Sequence, residues 1–93
     1  MNLVILSGKI SNIKYGLVDR GKIYSIAFLD VKVLKSEMPI QIICKNNEAD
    51  YVYRNMNIGT NAILEGKIHE SKEKILVFVK KIKEIQWLGV KNG

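Results

Sequence analysis

The sequence predicts a small all-β fold, a five-stranded Greek-key barrel with one short helix between the third and fourth strands. Three observations support this prediction: apolar segments of strand length separated by glycine or polar turns, one segment with helical spacing, and a five-residue pattern that occurs twice. The pattern is LSGKI at Leu6–Ile10 and LEGKI at Leu64–Ile68. A glycine inside an apolar strand permits a sharp bend. The two copies therefore predict kinked strands that lie near each other where a small barrel closes.

The first strand is predicted from Leu3 to about Ile13. Its alternate residues share one parity and are expected to face the core: Val4, Leu6, Gly8 and Ile10. Leu3 and Ile5 have the opposite parity but are also apolar, which indicates a strand that is covered on both sides. We expect another copy of the chain to supply the second cover at Leu3 and Ile5, with a loop or the helix as the alternative.

The second strand is predicted from about Lys22 to Leu34, after a loop or hairpin whose glycines lie in Tyr15–Gly16 and Asp19–Gly21. Three alternating residues of this strand are predicted to share one face, Tyr24, Ile26 and Phe28, and Phe28 is assigned to the core because it shares parity with Ile26. The apolar parity changes after them, which predicts a β-bulge near Leu29–Asp30.

The third strand is predicted from Ile40 to Lys45, and its residues of one parity should share a face: Ile40, Ile42 and Cys44. Asn47 is a suitable N-cap, so the helix is predicted from Glu48 to about Asn55. Helical spacing assigns four residues to the buried side of this segment: Ala49, Val52, Tyr53 and Met56.

The fourth strand is predicted from Asn61 to about His69, with four residues inward: Ala62, Leu64, Gly66 and Ile68. A polar turn at Glu70–Glu73 leads to a fifth strand from Lys74 to Lys83. An ordered tail that carries Trp87 completes one domain over residues 1–89, and residues 90–93 are expected to fray. Three strands, a helix and two strands fit the five-stranded OB-fold better than a sandwich, which needs more strands.

Composition narrows the class of protein. The 93 residues suffice for one core, and the formal net charge of +6 makes nucleic acid the leading candidate partner. The alternative is that the abundant lysines serve solubility alone. The single cysteine, Cys44, cannot form an internal disulfide, so we expect a reduced, cytoplasmic protein. No signal peptide or membrane-spanning run is recognisable, and no membrane partner is expected.

The sequence offers little for catalysis. His69 is the only histidine, and there is no Cys/His cluster or glycine-rich phosphate loop. Cys44 is expected to be buried, which leaves no nucleophile paired with a base. We therefore expect no enzyme activity, no metal and no cofactor.

Five segments, in the right order, resemble bacterial single-stranded DNA-binding proteins and primosomal replication protein N: Asn2–Ile10, Ser25–Phe28, Gln41–Lys45, Asn57–Ile68 and Ile75–Ile85. The resemblance implies an OB-fold that binds single-stranded DNA as a dimer or tetramer. It also implies a dimer face that includes the first strand, in agreement with Leu3 and Ile5. The chain lacks the sheet-face tryptophans of that family, which favours the alternative of an accessory that docks a replication or conjugation protein.

A single-strand site needs cations for phosphates and flat side chains for bases. Tyr15 and Tyr24 are the candidate stackers, although either ring could equally cover a barrel edge. Phe28 is assigned to the core and Trp87 to holding the tail. The candidate nucleic-acid contacts are Lys14, Tyr15, Arg20, Lys22, Tyr24, Lys32, Gln41, Lys45, Lys67 and Lys72. We expect weakly sequence-selective, salt-dependent binding of single-stranded DNA in replication, restart or mobile-element transfer, with RNA left open.

Overall fold

The computed structural model describes residues 2–33, 38–71 and 74–85 as a closed five-stranded barrel with one helix. The elements are β1 Leu3–Asp19, β2 Ile23–Lys32, β3 Ile40–Lys45, α1 Asn47–Asn55, β4 Asn61–Ser71 and β5 Lys74–Glu84. Their order around the barrel is β1-β2-β3-β5-β4, and β4 pairs with β1 to close it. Neighbouring strands are antiparallel except β3 and β5, which are parallel. The predicted OB-fold, with its helix between β3 and β4, is confirmed.

Gly8 and Gly66 lie in the two strands that close the barrel. An added Cβ at Gly8 would collide with the backbone carbonyl oxygen of Lys32, and one at Gly66 would collide with that of Phe78. A carbonyl oxygen within a strand cannot swing away, so these positions have no room for a side chain. β1 pairs with both β2 and β4, which confirms that the two glycine-containing strands are neighbours at the closure.

β1 is longer than predicted, and the loop after it is shorter. The strand continues past Ile13 to Asp19, so Tyr15 and Gly16, which were predicted to lie in the loop, pair with β2. The chain reverses at Arg20–Lys22, where the second predicted loop glycine, Gly21, has a φ of 81° that favours glycine. Gly16 was assigned to the loop because the sequence alone does not distinguish a glycine in an extended strand from a glycine in a turn.

The core face of β2 is the opposite of the predicted one. Its buried residues are Ser25, Ala27, Leu29 and Val31, whereas Phe28 is 46% exposed. The shared face of Tyr24, Ile26 and Phe28 is therefore the outward one, and the predicted core assignment of Phe28 is wrong. The interior of a small barrel has little room, and its inward positions on β2 near α1 are taken by the small Ser25 and Ala27.

The irregularity predicted near Leu29–Asp30 lies in β1 instead. Ile10 pairs with Val31 and Asn12 pairs with Asp30, so Ser11 is the extra residue. This β-bulge reverses the parity of β1 and turns Ile13 toward the core, while β2 keeps one parity throughout.

The helix closes one end of the barrel. Ala49, Val52 and Met56 are buried as predicted, but Tyr53 is 65% exposed and does not pack under the barrel. The predicted N-cap is also wrong, because Asn47 is already helical and the cap is Asn46, which makes no side-chain capping bond.

The inward faces predicted for β3, β4 and the first part of β1 are confirmed. β4 continues to Ser71 and β5 to Glu84, slightly beyond the predicted ends. Glu70 and Ser71, the first half of the predicted turn, belong to β4 and pair with β5. The rest of that turn, the tail that carries Trp87 and the domain boundary at residue 89 lie outside the described residues.

Candidate nucleic-acid interface

One rung of the barrel carries two aromatic side chains between two lysines. Strand register places five outward-facing residues in a continuous line across all five strands, in the order Lys14, Phe28, Ile43, Phe78 and Lys67. We call this line the aromatic row. Both lysines are exposed, Phe28 is nearly half exposed, and Ile43 and Phe78 are half-buried. The two phenylalanines are two strands apart, or about 10 Å at the usual strand spacing.

A groove of about 530 Å³ runs beside the aromatic row on the outward faces of β1, β2, β3 and β5. Its lining residues include Asn12, Lys14, Phe28, Asp30, Gln41, Lys74 and Leu76. The structure therefore brings together two predicted contacts, Lys14 and Gln41, with an exposed aromatic ring. Such a groove can place a base against Phe28 and a phosphate against either lysine.

Lys45 and Tyr24, also predicted contacts, lie together on this same outward face nearer the β1–β2 hairpin. The ammonium nitrogen of Lys45 is 5.8 Å from the centroid of the half-buried Tyr24 ring. This distance lies within the range of a cation–π interaction. The pair extends the cationic and aromatic surface along β2 beyond Phe28.

Tyr15 lies on the other side of β1, away from the groove. Its ring stacks on that of Tyr53 with 4.4 Å between centroids, and its hydroxyl donates a hydrogen bond of 2.9 Å to Asp50 Oδ1. The hydrogen bond to Asp50 raises the pKa of Tyr15, and bonds from Ser25 and Tyr15 lower the pKa of Asp50. Tyr15 thus fastens α1 to β1, and one face of its ring is already covered.

The remaining predicted cations are distributed more widely. Arg20 and Lys22 are exposed at the tip of the β1–β2 hairpin, and Lys32 is exposed at the end of β2 opposite Lys9. Lys67 belongs to the aromatic row. Lys72 lies outside the described residues. The structure therefore places the predicted cations around the groove and along one hairpin instead of in a single cluster.

Leu3 and Ile5 face outward and are 45% and 66% exposed. The sequence analysis missed a third member of this surface, Ile63, which lies on the adjacent strand β4 and is 43% exposed. We call these three residues the apolar patch. The β1 segment that carries Leu3 and Ile5 pairs with β4 alone among the described strands, so its other backbone edge has no described strand partner.

The described residues offer no further reactive cluster. No group of three or more metal-binding side chains is found in residues 2–33, 38–71 and 74–85. His69 is exposed and contacts Phe78 edge-on, with 5.8 Å between ring centroids. Cys44 is fully buried, and burial raises its pKa to about 12, so its thiol is protonated. No helix in the described part of the chain is both long and apolar enough to cross a bilayer.

Sequence reasoning missed Phe28, Asp30, Asn12 and Lys74 as groove residues, and it missed Phe78 as a member of the aromatic row. The segment Ile26–Leu29 is apolar at every position, so hydrophobicity alone does not say which parity faces inward. The available signal was the small size of Ser25 and Ala27, since small residues suit the narrow interior of a barrel.

Comparisons with known proteins bear on the fold. Protein-family models and curated proteins give no match to this chain. Solved structures with a similar fold are found. The SSB domain of a protein from Synechococcus sp. has a TM-score of 0.76 at 15% identity over 88% of this chain and 93% of that chain. The second single-stranded DNA-binding protein, SSBb, from Mycobacterium smegmatis has a TM-score of 0.75 at 13% identity, over 89% and 87%.

A PriB protein is also similar. The N-terminal domain of PriB from Thermoanaerobacter tencongensis, described as dimeric, has a TM-score of 0.63 at 22% identity over 92% of this chain and 98% of that chain. At such identities the likeness concerns backbone architecture, and it agrees with the resemblance seen in the sequence. The chain therefore has the OB-fold that SSB domains and PriB proteins share.

Proposed function

We propose that this chain is a non-catalytic single-stranded DNA-binding protein that holds the strand along the groove and the aromatic row. The observation that carries the proposal is the row itself, because it places Phe28 and Phe78 between Lys14 and Lys67 in one line of outward-facing side chains. The similar structure of SSBb, which is named as a single-stranded DNA-binding protein, supports the same function.

Two kinds of contact contribute to the affinity: base stacking on aromatic side chains and phosphate contacts with lysines. A base that stacks on an aromatic side chain contributes about 1–3 kcal/mol, and every base offers a flat face for it. Lysines contact phosphates, which carry no sequence information. The binding is therefore weakly sequence-selective and depends on salt. Within the described residues no metal site accompanies the groove, and we propose that the protein needs no cofactor.

A second subunit would join two such surfaces. Leu3 of the apolar patch pairs directly with Lys67 of the aromatic row, so a copy docked on the patch lies next to one end of the row. We propose a homodimer or homotetramer formed through Leu3, Ile5 and Ile63. Joined grooves raise the apparent affinity for a long strand by multivalency. The proposed setting is cytoplasmic DNA replication, restart or mobile-element transfer.

The test is fluorescence anisotropy of a labelled thymidine oligonucleotide at low salt, with duplex DNA and oligo-uridine for comparison. Phe28→Ala should weaken binding of the thymidine strand by about tenfold or more, because one stacking contact is lost. Ile58→Ala is the matched control, since Ile58 is 67% exposed in the loop after α1. Equal affinity of Phe28→Ala and the parent would refute the proposed site. Equal binding of oligo-uridine would extend the function to RNA.

A second candidate function is a protein-interaction accessory, and one observation favours it. Leu17 and Ile23, both 69% exposed, project from the β1–β2 hairpin, and Tyr53 is exposed on α1. Exposed apolar side chains of this kind suit a protein surface better than a phosphate backbone. If the parent protein fails to bind thymidine strands at micromolar concentration and low salt, this second function replaces the first.

A further inference from the structure

A second line of outward residues lies beside the aromatic row in the same groove. Asn12 on β1 pairs with Asp30 on β2, and Asp30 pairs with Gln41 on β3. We call these three residues the polar row. Each lies two positions along its strand from a member of the aromatic row, which is about 7 Å. The polar row therefore faces the edge of any base that stacks on Phe28.

The side chains of the polar row have unused hydrogen-bonding capacity. Asn12 and Gln41 are exposed and Asp30 is half-buried. Within the described part of the chain, the Asp30 carboxylate takes part in no hydrogen bond or ion pair; Ser11 Oγ donates its hydrogen bond to the backbone carbonyl of Asp30 instead. A carboxylate in a groove that also holds Lys14 and Lys74 opposes the phosphates that the lysines attract. The Asp30 carboxylate is therefore suited to bind a ligand group that donates hydrogen bonds.

We infer that the polar row reads a guanine base stacked on Phe28. The inference rests on the proposed function and adds a base preference to it. The Watson–Crick edge of guanine presents two adjacent N–H donors, N1–H and the N2 amino group, which match the two oxygens of Asp30. Its O6 accepts from the amide of Asn12 or Gln41. Single-stranded bases are commonly recognised through this edge.

The other bases fit less well. Thymine presents carbonyl oxygens on both sides of its single N–H, and these oxygens repel a carboxylate. Cytosine and adenine each offer one amino group, so each makes one of the two bonds that guanine makes. A single guanine-selective position is compatible with weak selectivity elsewhere, because the remaining contacts go to phosphates and to the faces of bases.

The test compares two labelled strands of about 15 nucleotides, a length that covers an OB-fold site. One is all thymidine, and in the other every third base is guanine, so that no guanine run can form a quadruplex. We expect the parent protein to bind the guanine-containing strand about tenfold more tightly, at the lower end of what a two-bond base contact gives.

Asp30→Asn should abolish this preference and bind the thymidine strand at least as well as the parent, because a negative charge leaves the groove. Glu70→Gln removes the same charge from an exposed position on β4 outside the groove, and it should keep the preference. Equal affinity of the parent for both strands, or a preference that survives in Asp30→Asn, overturns the inference while the proposed function stands. Failure of the parent to bind either strand overturns both.

Discussion

Gly8 and Gly16 lie in the same strand but make different steric demands. A Cβ at Gly8 would meet the Lys32 carbonyl oxygen and would lie 2.9 Å from Val31 Cγ1, whereas a Cβ at Gly16 would meet nothing within 4 Å. Each glycine was visible in the sequence, but only the packing of β2 against β1 distinguishes them.

Gly8→Ala should lower the free energy of unfolding by about 1–3 kcal/mol, the usual cost of an added methyl group in a filled space. Gly16→Ala should leave it unchanged or raise it by about 0.5 kcal/mol, because alanine suits a strand better than glycine. Urea unfolding of both variants measures the difference. Similar stabilities for the two variants would contradict the closure described at Gly8.

Cys44 makes the stability of the protein depend on pH above neutrality. Burial raises its pKa from 9.0 to about 12 in the folded state. As pH rises, the thiol of the unfolded protein therefore loses its proton before the thiol of the folded protein. The stability that the neutral, buried Cys44 thiol contributes is fully present below pH 9 and is lost progressively between pH 9 and 12. Cys44→Ala has no thiol to ionise, so the two proteins should respond differently to alkali.

The stability advantage of the parent over Cys44→Ala should shrink by about 1 kcal/mol between pH 8 and pH 10. Comparison of the two proteins removes the contributions of the ionisable groups that they share. Urea midpoints at the two pH values provide the measurement. A difference that stays constant would show that Cys44 is not buried as a neutral thiol.

At the scale of elements, the sequence was most informative where a strand has one clear apolar face. The inward residues of β4 and of β1 before Ser11 follow from alternation alone. Alternation did not identify the inward face of β2, because residues 26–29 are apolar on both faces. In the β1–β2 hairpin, Gly21 was correctly assigned to the turn, but Gly16 was also assigned to the loop although it pairs with β2.

The apolar patch on β1 and β4 leads to a prediction about assembly. Ile5→Glu places a charge at the centre of the patch, and a charge buried without a partner is strongly unfavourable. The parent should therefore scatter light as a dimer or tetramer, and Ile5→Glu as a smaller species. Ile58→Glu, at an equally exposed isoleucine away from the patch, should keep the mass of the parent. A monomeric parent would refute the proposed interface.

At the scale of the whole molecule, the net charge of +6 and the position of the lysines should govern affinity together. Lys67 lies at one end of the aromatic row, whereas Arg54 is exposed at the last turn of α1. Neutralising either residue changes the net charge by one. A protein that binds through overall charge would respond equally to both changes, and a protein with a defined site would not.

Lys67→Gln should weaken binding of a thymidine strand at low salt and reduce the slope of log affinity against log salt by about 1, because one phosphate contact is lost. Arg54→Gln should leave the slope unchanged. Anisotropy titrations over a range of salt concentrations supply both slopes. An affinity that is flat across salt in the parent would contradict the phosphate-based part of the proposed function.

The sequence by itself determined the number and order of strands, the place of the helix, the closure glycines and most of the inward faces. These properties depend on a residue and its near neighbours, through alternation, helical spacing and the room that a side chain needs. The excess of lysine and the ordered resemblance also indicated the class of ligand before any fold was available.

Only the tertiary structure decided which side chains meet. Phe28, Ile43 and Phe78 come from three strands, and their alignment depends on the antiparallel pairing of β2 with β3 and on the parallel pairing of β3 with β5. The bulge at Ser11 sets the register that places Lys14 beside Phe28. Register of this kind is set by contacts between strands, and a shift of one residue would turn the opposite faces outward. The groove, and Asp30 within it, are therefore properties of the closed barrel.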